Sequence, residues 1–385
     1  MNNINFWGEK LREIRELRGY TIQQVADYIG VSKQSISLYE KAKCKPLPGT
    51  FQKLVELFKV PSHFFSCSPI LPHTTPTFYR SMASATKQMR DVAEQKLKWL
   101  RSIIAYLSNF IDFPTVNIPS CHFPSDPTKI SDADVELASD NVRRFWGLGN
   151  GVISNVVHLL ENNGIIVSRF ALNSDKLDAF SIMEDGTERP YVIMASDKGS
   201  PFRARFDAAH ELGHIILHRN VPKQLLRDRD VFNVLEDQAN LFASTFLLPE
   251  RSFGLERLTS NIKSFVNIKK KWLASIASMI MRAAQLGIIS DSQKTSLWIE
   301  RSRRKWSKVE PFDDEHEVEL PSLVSKSFQM IVSEGLVSKE QILSDLAMNQ
   351  EDFEAMTGLE GFLSENGADN IHEPVPTLKF PSRTY

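Results

Sequence analysis

The pentapeptide His210-Glu211-Leu212-Gly213-His214 constrains the fold of this chain more than any other feature of its 385 residues. Residues four apart lie on the same face of an α-helix, so the two imidazoles project side by side and can reach one metal ion at about 2 Å. Apolar Ala208 and Ile215 recur at helical spacing around them. We therefore predict a helix over residues 206–218 that presents both histidines on one face.

Glu211 directly follows the first histidine, so a helix turns its carboxylate away from the axis on which both imidazoles would bind a metal. Zn²⁺ lowers the pKa of a bound water towards about 7 and polarises a peptide carbonyl. A carboxylate beside that water can accept its proton and pass it to the leaving amine. The pattern therefore predicts Zn²⁺ as a cofactor, His210 and His214 as ligands, and Glu211 as the catalytic base of a peptidase.

A catalytic zinc site has three protein ligands and one open position, so a third ligand is needed. Glu236, which we expect to open the next long helix at 234–248, is preferred over His218, since a residue one turn further along the same straight helix would be strained. Asn240 is expected to hold His210 through its other ring nitrogen, and His218 is assigned a structural or supporting role. Two alternatives stay open: such pentapeptides also occur in helices that bind nothing, and Glu236 can be a solvated first-turn carboxylate.

Short runs of β-branched or aromatic residues precede the histidine helix and are predicted to be strands. They lie at 164–167, 180–182 and 191–194. An extended peptide substrate is expected to pair with an exposed strand edge near 191–194. Tyr191 and His218 are the candidates considered for stabilising the oxyanion.

Residues 6–60 carry apolar residues at helical spacing in short segments that are separated by turns. Thr21 and Ser32 are suited to cap the second and third helices, and Gly30 is suited to end the second. This arrangement predicts a helix-turn-helix module. Residues 1–60 contain ten Lys and Arg against six Asp and Glu, which gives the segment a local positive charge.

Candidate DNA contacts lie on the third helix and directly after it. Contacts to base edges and phosphates are expected from four polar residues of that helix: Lys33, Gln34, Ser35 and Ser37. Lys41 and Lys43 are expected to contact phosphates beside the groove. One module of this kind has a small footprint, so a homodimer on a palindromic site is expected. A module used for protein contacts or dimerisation is the alternative.

The composition is that of a globular protein, with 42% hydrophobic and 24% charged residues and a formal net charge of -1. This balance excludes binding to polyanions through overall charge, so nucleic-acid contacts have to come from a local patch. Three widely spaced cysteines fit neither a disulfide framework nor a cysteine-rich metal site. No signal peptide or membrane span is predicted, and a cytoplasmic protein without membrane contact is expected.

The length favours more than one domain. We predict a multidomain chain: an all-α helix-turn-helix domain, an α+β gluzincin-like zinc metallopeptidase domain and a small helical C-terminal region. The predicted boundaries are 1–66 for the helix-turn-helix domain, 67–127 for a linker and connecting helix, 128–300 for the metallopeptidase domain and 301–385 for the C-terminal region.

Two parts of the chain resemble known families. Residues 203–218 (RARFDAAHELGHIILH) resemble the zinc motif of the ImmA/IrrE (peptidase M78-like) metallopeptidases, and residues 236–249 are similar to the second motif of that family. Residues 6–60 resemble the Cro/C1-type (XRE) helix-turn-helix family over its whole length. The first resemblance implies that His210, His214 and Glu236 bind zinc, that Glu211 is the base, and that a protein substrate, often a helix-turn-helix repressor, undergoes limited proteolysis.

Three residues depart from these family patterns. Asp207 stands where Thr or Ser is usual before the zinc motif, and we expect it to cap the helix equally well. Ile22 replaces a Gln that contacts a phosphate, and Ala42 replaces a Gly. The last two favour the alternative in which the N-terminal module binds protein.

We interpret the chain as a DNA-binding transcriptional regulator with a zinc-dependent endopeptidase domain. Two other classes stay open: a transcription factor whose zinc site is structural or sensory, and an antitoxin-like protein that acts by binding alone. Glu211 favours the enzyme, because a structural zinc site needs no general base.

Overall fold

The chain folds into an N-terminal helical bundle, a long connecting helix, a small α+β domain and a C-terminal group of short helices. The computed structural model describes residues 5–68, 86–172, 178–183, 189–197, 200–222, 224–363 and 377–378. The predicted fold class, an all-α module followed by an α+β domain and further short helices, is confirmed by this order of elements.

The N-terminal bundle forms where the capping signals of the sequence predict it. It contains α1 (Gly8–Leu17), α2 (Ile22–Ile29), α3 (Lys33–Glu40) and α4 (Pro48–Phe58). The hydroxyl of Thr21 accepts from the backbone N–H of Gln24, and that of Ser32 accepts from Ser35, so both helix starts are capped. Gly30 ends α2 in the left-handed region at φ 74°. These local features connect α2 to α3 through only three residues.

An ion pair between Arg15 and Glu40 joins the first and third helices. Arg15 Nε lies 2.5 Å from Glu40 Oε1, and the two side chains are 11% and 8% exposed. Arg15 Nη1 also donates to the backbone carbonyl of Tyr20 at 3.0 Å, in the turn before α2. One guanidinium therefore joins α1 to α3 and to the turn before α2. Removing either charged partner would leave the other charge buried without a counterion, which is costly.

The helix α5 (Lys87–Leu107) packs against α1 and leads towards the sheet. Trp99 Nε1 donates to Glu13 Oε1 at 2.8 Å, and Gln95 Nε2 donates to Glu16 Oε2 at 2.7 Å. Its apolar face, which includes Leu97, Leu100 and Ile103, is fully buried. The N-terminal bundle is therefore extended by a further long helix within one core.

A sheet of three strands occupies the centre of the chain, in the order β2-β4-β3. Its strands are β2 (Ile166–Phe170), β3 (Ala179–Met183) and β4 (Pro190–Ala195), and a separate two-residue pair joins β1 (Ile111–Asp112) to β5 (Thr377–Leu378). The strand β4 runs parallel to β2 and antiparallel to β3, so both of its edges are paired. The prediction that a substrate pairs with the edge of 191–194 is therefore wrong, because that strand is the central one.

The sheet separates two hydrophobic cores. On β4, Tyr191 and Ile193 face the core that contains the N-terminal bundle and α5, whereas Val192 and Met194 face the helices that follow the sheet. Successive residues of a strand point to opposite faces, so one short strand contributes to both cores. The helix α5, which packs on the N-terminal bundle, therefore lies on one side of the sheet, and the histidine helix lies on the other.

The remaining helices cover the second face of the sheet and continue into the C-terminal region. They are α6 (Asp132–Phe145), α7 (Val156–Asn162), α8 (Pro201–Leu217), α9 (Arg229–Leu247), α10 (Glu250–Phe253), α11 (Ile262–Trp272), α12 (Ile276–Gln285), α13 (Asp291–Arg303), α14 (Leu323–Ser333), α15 (Lys339–Asp345) and α16 (Gln350–Thr357). Among the residues that the structure describes, none forms a helix with the length and apolar character that a bilayer crossing needs.

The C-terminal helices pack back onto the N-terminal bundle. Arg18 forms two bonds of 2.6 Å to the carboxylate of Asp352, at the start of α16. Phe328 and Phe353 are fully buried in the same core as the bundle. The N-terminal bundle and the helices α14 to α16 therefore share one hydrophobic core, while the predicted domain boundaries stay predictions.

Lys96 is a cation inside the junction between α5 and the sheet. Its Nζ donates to the backbone carbonyl of Ala171 at 2.6 Å and lies 4.8 Å from the centroid of the Phe170 ring. Burial lowers the pKa of Lys96 to about 8, and the charge of Asp197 acts in the opposite direction. The folded state therefore disfavours the charged form of this side chain.

We expect Lys96 to make the free energy of unfolding rise as the pH increases from 8 to 10.5. The unfolded chain keeps this proton up to about pH 10.5, whereas the folded chain loses it above about pH 8. The unfolded state then binds more protons in that window, which makes stability increase with pH. Urea unfolding at pH values below and above this window measures the rise. The free energy of unfolding should increase by about 3 kcal/mol in the unaltered protein, and this increase should be absent in Lys96→Met.

Lys98→Met, on the same helix, is the matched control for this measurement. Lys98 is paired with Glu94 at 3.4 Å and does not reach the sheet carbonyl. The control should keep the pH dependence of the unaltered protein. An unchanged pH dependence in Lys96→Met would contradict the prediction.

Candidate metal centre

The histidine helix α8 begins earlier than its sequence pattern indicates. Pro201 occupies its first turn, where a missing N–H costs nothing, and the helix continues to Leu217. Asp207 therefore lies in the interior of the helix, and the prediction that it caps the zinc helix is wrong. Most of α8 is buried between the sheet and α9, so its polar residues are held in fixed positions.

The three predicted ligands converge at one point between α8 and α9. His210 Nε2 and His214 Nε2 are 3.0 Å apart, and oxygens of the Glu236 carboxylate lie 3.5 Å from each of them. Glu236 does not open its helix as expected: α9 starts at Arg229 after the cap Asp228, so the carboxylate lies two turns inside. A first-turn position therefore does not account for this residue.

A glycine permits the close packing that brings these groups together. A Cβ atom added to Gly213 would lie 3.1 Å from Cβ of Phe242 and 3.3 Å from Cα of Ala239, both on α9. Real side chains rarely tolerate contacts this short, so a larger residue would push the helices apart. Gly213 therefore sets how closely α8 and α9 approach, and with it the distance between Glu236 and the two histidines.

The distances match those of a zinc ligand set. Ligand atoms about 2.0–2.2 Å from a tetrahedral ion are separated from one another by about 3.3–3.5 Å. The ligand atoms of His210, His214 and Glu236 all lie within 4.8 Å of one another. Two imidazoles and one carboxylate are also a known set for catalytic zinc, with a fourth position left open. The residues therefore fit Zn²⁺ by donor type and by spacing.

The surroundings keep the imidazoles neutral, which is the form that binds a metal. Burial lowers the pKa of His210 to about 4 and that of His214 to about 3. Repulsion from His214 adds to the shift at His210, whereas Glu236 and Asn240 oppose it. Burial also holds the pKa of His218 well below 6.5. Near pH 7 each of these rings has one nitrogen free of a proton.

The outer nitrogens of the histidines have protein partners. Asn240 Oδ1 lies 3.0 Å from Nδ1 of His210, on the residue where such a contact was expected. Nδ1 of His218 lies 2.9 Å from Nδ1 of His214, and its Nε2 lies 3.0 Å from Oε1 of Gln238. His218 is fully buried and bonded at both ring nitrogens, so it is not available to a substrate oxyanion.

Glu211 is turned towards the sheet. Ser181 Oγ, on β3, donates to Glu211 Oε2 at 2.6 Å, and the glutamate is 1% exposed. Burial raises the pKa of Glu211 to about 8, although the bond from Ser181 lowers it; the charges of Glu236 and Asp207 raise it further. A carboxyl group with a pKa near neutrality can both hold and release a proton at physiological pH.

Tyr191, the other oxyanion candidate, lies on the wrong side of the sheet. It is 2% exposed and belongs to the core that faces the N-terminal bundle. The Arg101 guanidinium lies 5.7 Å from the centroid of its ring on that face. The strand carries Val192, not Tyr191, towards the histidine helix. The prediction for Tyr191 is therefore wrong.

Two side chains of the site were not predicted from the sequence, Ser181 and Gln238. Ser181 gave no signal, because a serine in a short strand is common on any sheet face. Gln238 did give one: it interrupts the apolar stripe of α9 that Leu235, Ala239 and Phe242 form. A polar residue at a core-facing position of a helix needs a buried hydrogen-bond partner.

A cleft of about 820 Å³ lies close to His210, but none of the three ligands is among the described residues that line it. Asn240, which contacts that histidine, lines it together with Asp207 and Asp237. Apolar side chains of Leu241 and Met281 also line it. A mixed apolar and polar lining of this size is typical of sites that bind small molecules or side chains.

The predicted DNA contacts lie on and after α3. Lys33, Gln34, Lys41 and Lys43 are exposed, and Ser37 is half-buried. Ser35 is also half-buried, and its hydroxyl lies 2.8 Å from that of Ser32, so it takes part in the helix cap.

Ala42, which departs from the family pattern, has a left-handed backbone. Its φ is 54°, in the region that L-residues other than glycine enter at a cost. This conformation explains why glycine is usual at the position. The turn forms with alanine nevertheless, so the departure does not prevent the module from folding.

Comparison with known proteins supports both resemblances. Residues 160–283 match the family model described as the IrrE N-terminal-like domain of peptidase M78, and residues 11–65 match the model described as helix-turn-helix. The second match begins within α1 and ends after α4, and the first extends from the end of α7 to α12.

Three curated relatives from Bacillus subtilis (strain 168) match the N-terminal module. The HTH-type transcriptional repressor RghR is 46% identical over 56 residues, which are 14% of this chain and 42% of that protein. The uncharacterized HTH-type transcriptional regulator RghRB is 43% identical over 56 residues, 14% of this chain and 40% of that protein. The SPbeta prophage-derived uncharacterized HTH-type transcriptional regulator YonR is 34% identical over 58 residues, 15% of this chain and 54% of that protein. The chain thus spans about half the length of these relatives, and it joins a segment similar to helix-turn-helix proteins to a segment similar to the IrrE N-terminal-like domain of peptidase M78.

Proposed function

We propose that the protein is a DNA-binding transcriptional regulator whose IrrE-like domain is a zinc-dependent endopeptidase. The observation that carries the proposal is the convergence of His210, His214 and Glu236 at ligand spacing, with Glu211 between the two histidines on α8. The resemblance to ImmA/IrrE proteins suggests a protein substrate, with a helix-turn-helix repressor as the leading candidate. DNA, this substrate and a second copy of the chain are the proposed partners.

The metal would be held by Nε2 of both histidines and by the Glu236 carboxylate. Zn²⁺ bound there would supply an acidified water and polarise the scissile carbonyl. Glu211 is the proposed proton carrier: its ionised carboxylate would accept a proton from water at the site, and the resulting carboxylic acid would donate it to the leaving amine. The hydrogen bond that Ser181 Oγ donates to Glu211 Oε2 favours the ionised carboxylate, which is the form that accepts a proton.

A regulator with a sensory zinc site remains the second candidate function. The observation in its favour is the shared sheet: Val192 faces the histidine helix while its neighbour Ile193 faces the core of the N-terminal bundle. A change at the zinc site would then reach the N-terminal bundle through the sheet and α5, which contacts both. Antitoxin-like binding, the homodimer and the cytoplasmic location stay predictions.

Glu236→Ala should abolish stable zinc binding, because two imidazoles alone leave the ion with half of its tetrahedral ligands. The unaltered protein should retain one zinc per chain after dialysis, measured by elemental analysis. Asp237→Ala is the matched control, since Asp237 is the next residue of α9 and is outside the ligand cluster. Equal zinc contents in Glu236→Ala and the unaltered protein would refute the assignment of the third ligand.

Glu211→Gln should abolish cleavage while zinc binding is retained. The substitution preserves shape, and the neutral amide replaces a carboxyl group that burial already favours in its neutral form, so folding should be unaffected. Zinc-loaded proteins would be incubated with a proteome-derived peptide library and with purified helix-turn-helix repressors, and new termini identified by mass spectrometry.

Glu250→Gln, at the exposed start of α10, is the control for this experiment. It should cleave as the unaltered protein does. Cleavage that persists in Glu211→Gln would show that another group moves the proton. A zinc-loaded protein that cleaves nothing in either substrate set would favour the sensory candidate.

The DNA-binding proposal predicts different effects for two exposed residues. Gln34→Ala should cost about 1–3 kcal/mol on the selected sequence and relax base preference, because a base-edge contact is lost. Lys43→Ala should weaken binding to all duplexes and reduce the slope against log salt by about 1, because one phosphate contact is lost. The duplex would be selected with the unaltered protein and titrated by fluorescence anisotropy. Lys263→Ala, on α11, should change neither value; a similar loss there would mean that the contacts are not specific to the module.

A further inference from the structure

We propose that Gln238 and His218 form a relay, anchored on backbone carbonyls, that holds His214 in the tautomer with the proton on Nδ1. The relay directs the lone pair of His214 Nε2 towards His210 and Glu236. Both relay members are positioning residues, because they act on the ligand through hydrogen bonds. The inference rests on the proposed zinc site and deepens it by explaining how the ligand is oriented.

The anchor is the amide of Gln238. Its Nε2 lies 2.8 Å from the backbone oxygen of Pro127 and 2.9 Å from that of Ile130. Backbone carbonyls only accept hydrogen bonds, so the atom that faces them has to be the amide nitrogen. The other end of the amide, Oε1, therefore points towards His218 as an acceptor. The orientation of this side chain follows from chemistry and needs no assumption about which end is which.

His218 transmits this polarity. Its Nε2 lies 3.0 Å from Gln238 Oε1, so Nε2 has to carry the proton and donate it. A neutral imidazole has only one N–H, so Nδ1 of the same ring is an acceptor. That atom lies 2.9 Å from Nδ1 of His214, which has to donate. The proton of His214 is then on Nδ1, and its Nε2 has the lone pair that a metal needs.

Burial makes this order the favoured one. Gln238, His218 and His214 are 5%, 0% and 1% exposed, respectively. If His218 took the other tautomer, its Nε2 and the amide oxygen of Gln238 would be two acceptors in contact. Its Nδ1 would then donate to Nδ1 of His214, so that the proton of His214 would be on Nε2. Buried polar groups without a matched partner are costly. The carbonyls before α6 therefore orient a ligand on α8 through two intermediate side chains.

The relay distinguishes the two histidine ligands. His210 Nδ1 lies 3.0 Å from Oδ1 of Asn240, a residue that lines the cleft. His214 is oriented instead by a buried chain that ends on the backbone. Partners of this kind typically change metal affinity by about 10–100-fold when they are removed.

The first test is a two-bond ¹H–¹⁵N correlation spectrum of the full chain labelled with ¹⁵N-histidine and freed of metal by a chelator. We expect the Nε2–H tautomer for His218 and the Nδ1–H tautomer for His214. Gln238→Met should convert His218 to a mixture of tautomers. The Nε2–H form as the main species of His214 in the unaltered protein would overturn the proposal.

The second test measures zinc affinity by competition with a chromogenic chelator. Gln238→Met should bind zinc at least about 10-fold more weakly, whereas Gln285→Met, the same change on α12, should bind as the unaltered protein does. If Gln238→Met fails to fold, a pair of variants at His218 replaces it. His218→Asn keeps an acceptor for His214 Nδ1 and should retain affinity, whereas His218→Leu should lose it.

Equal affinities in His218→Asn and His218→Leu would refute the relay, because packing alone would then account for both. This result differs from a failure of the proposed function. If the protein binds no zinc, the proposed function is refuted. The tautomer spectrum of the metal-free chain can still support or overturn the relay in that case. Zinc binding with unaltered affinity in Gln238→Met would overturn the relay and leave the zinc site intact.

Discussion

The close packing of α8 on α9 is the contact on which the candidate site depends. One helix supplies two imidazoles and the other supplies a carboxylate, and these groups can share an ion only if the helix axes approach closely. Gly213 permits the approach, since any side chain there would meet Phe242. The same packing removes the histidines from water and keeps them neutral. Geometry and electrostatics of the site therefore have a common origin.

The three-stranded sheet gives this helix pair its place in the chain. Its two faces belong to different cores, one shared with the N-terminal bundle and one with the histidine helix. Ser181 faces the second of these and bonds to Glu211, whereas Tyr191 faces the first. The alternation of side chains along the strands thus decides which of them face the candidate metal centre. It also places α5, which packs on the N-terminal bundle, and the candidate metal centre on opposite faces of one sheet.

Buried polar groups around the site are matched in a defined order. Gln238 satisfies two backbone carbonyls and one imidazole, and that imidazole satisfies another. In a region with little solvent, each donor needs an acceptor, so the position of every proton follows from its neighbour. The result is a set of lone pairs that face one point. Such an arrangement suits a cation, whether its role is catalytic or sensory.

Local sequence determined several parts of this protein by itself. The spacing of His210 and His214 requires a shared helix face, and the residues Thr21, Gly30 and Ser32 delimit the helices of the N-terminal module, because capping and periodicity act over a few residues. Tertiary structure alone decided the central position of β4 and the roles of Ser181 and Gln238. Those features depend on which elements pack together across the chain, and hydrophobic patterns within one element carry no information about the neighbour it meets.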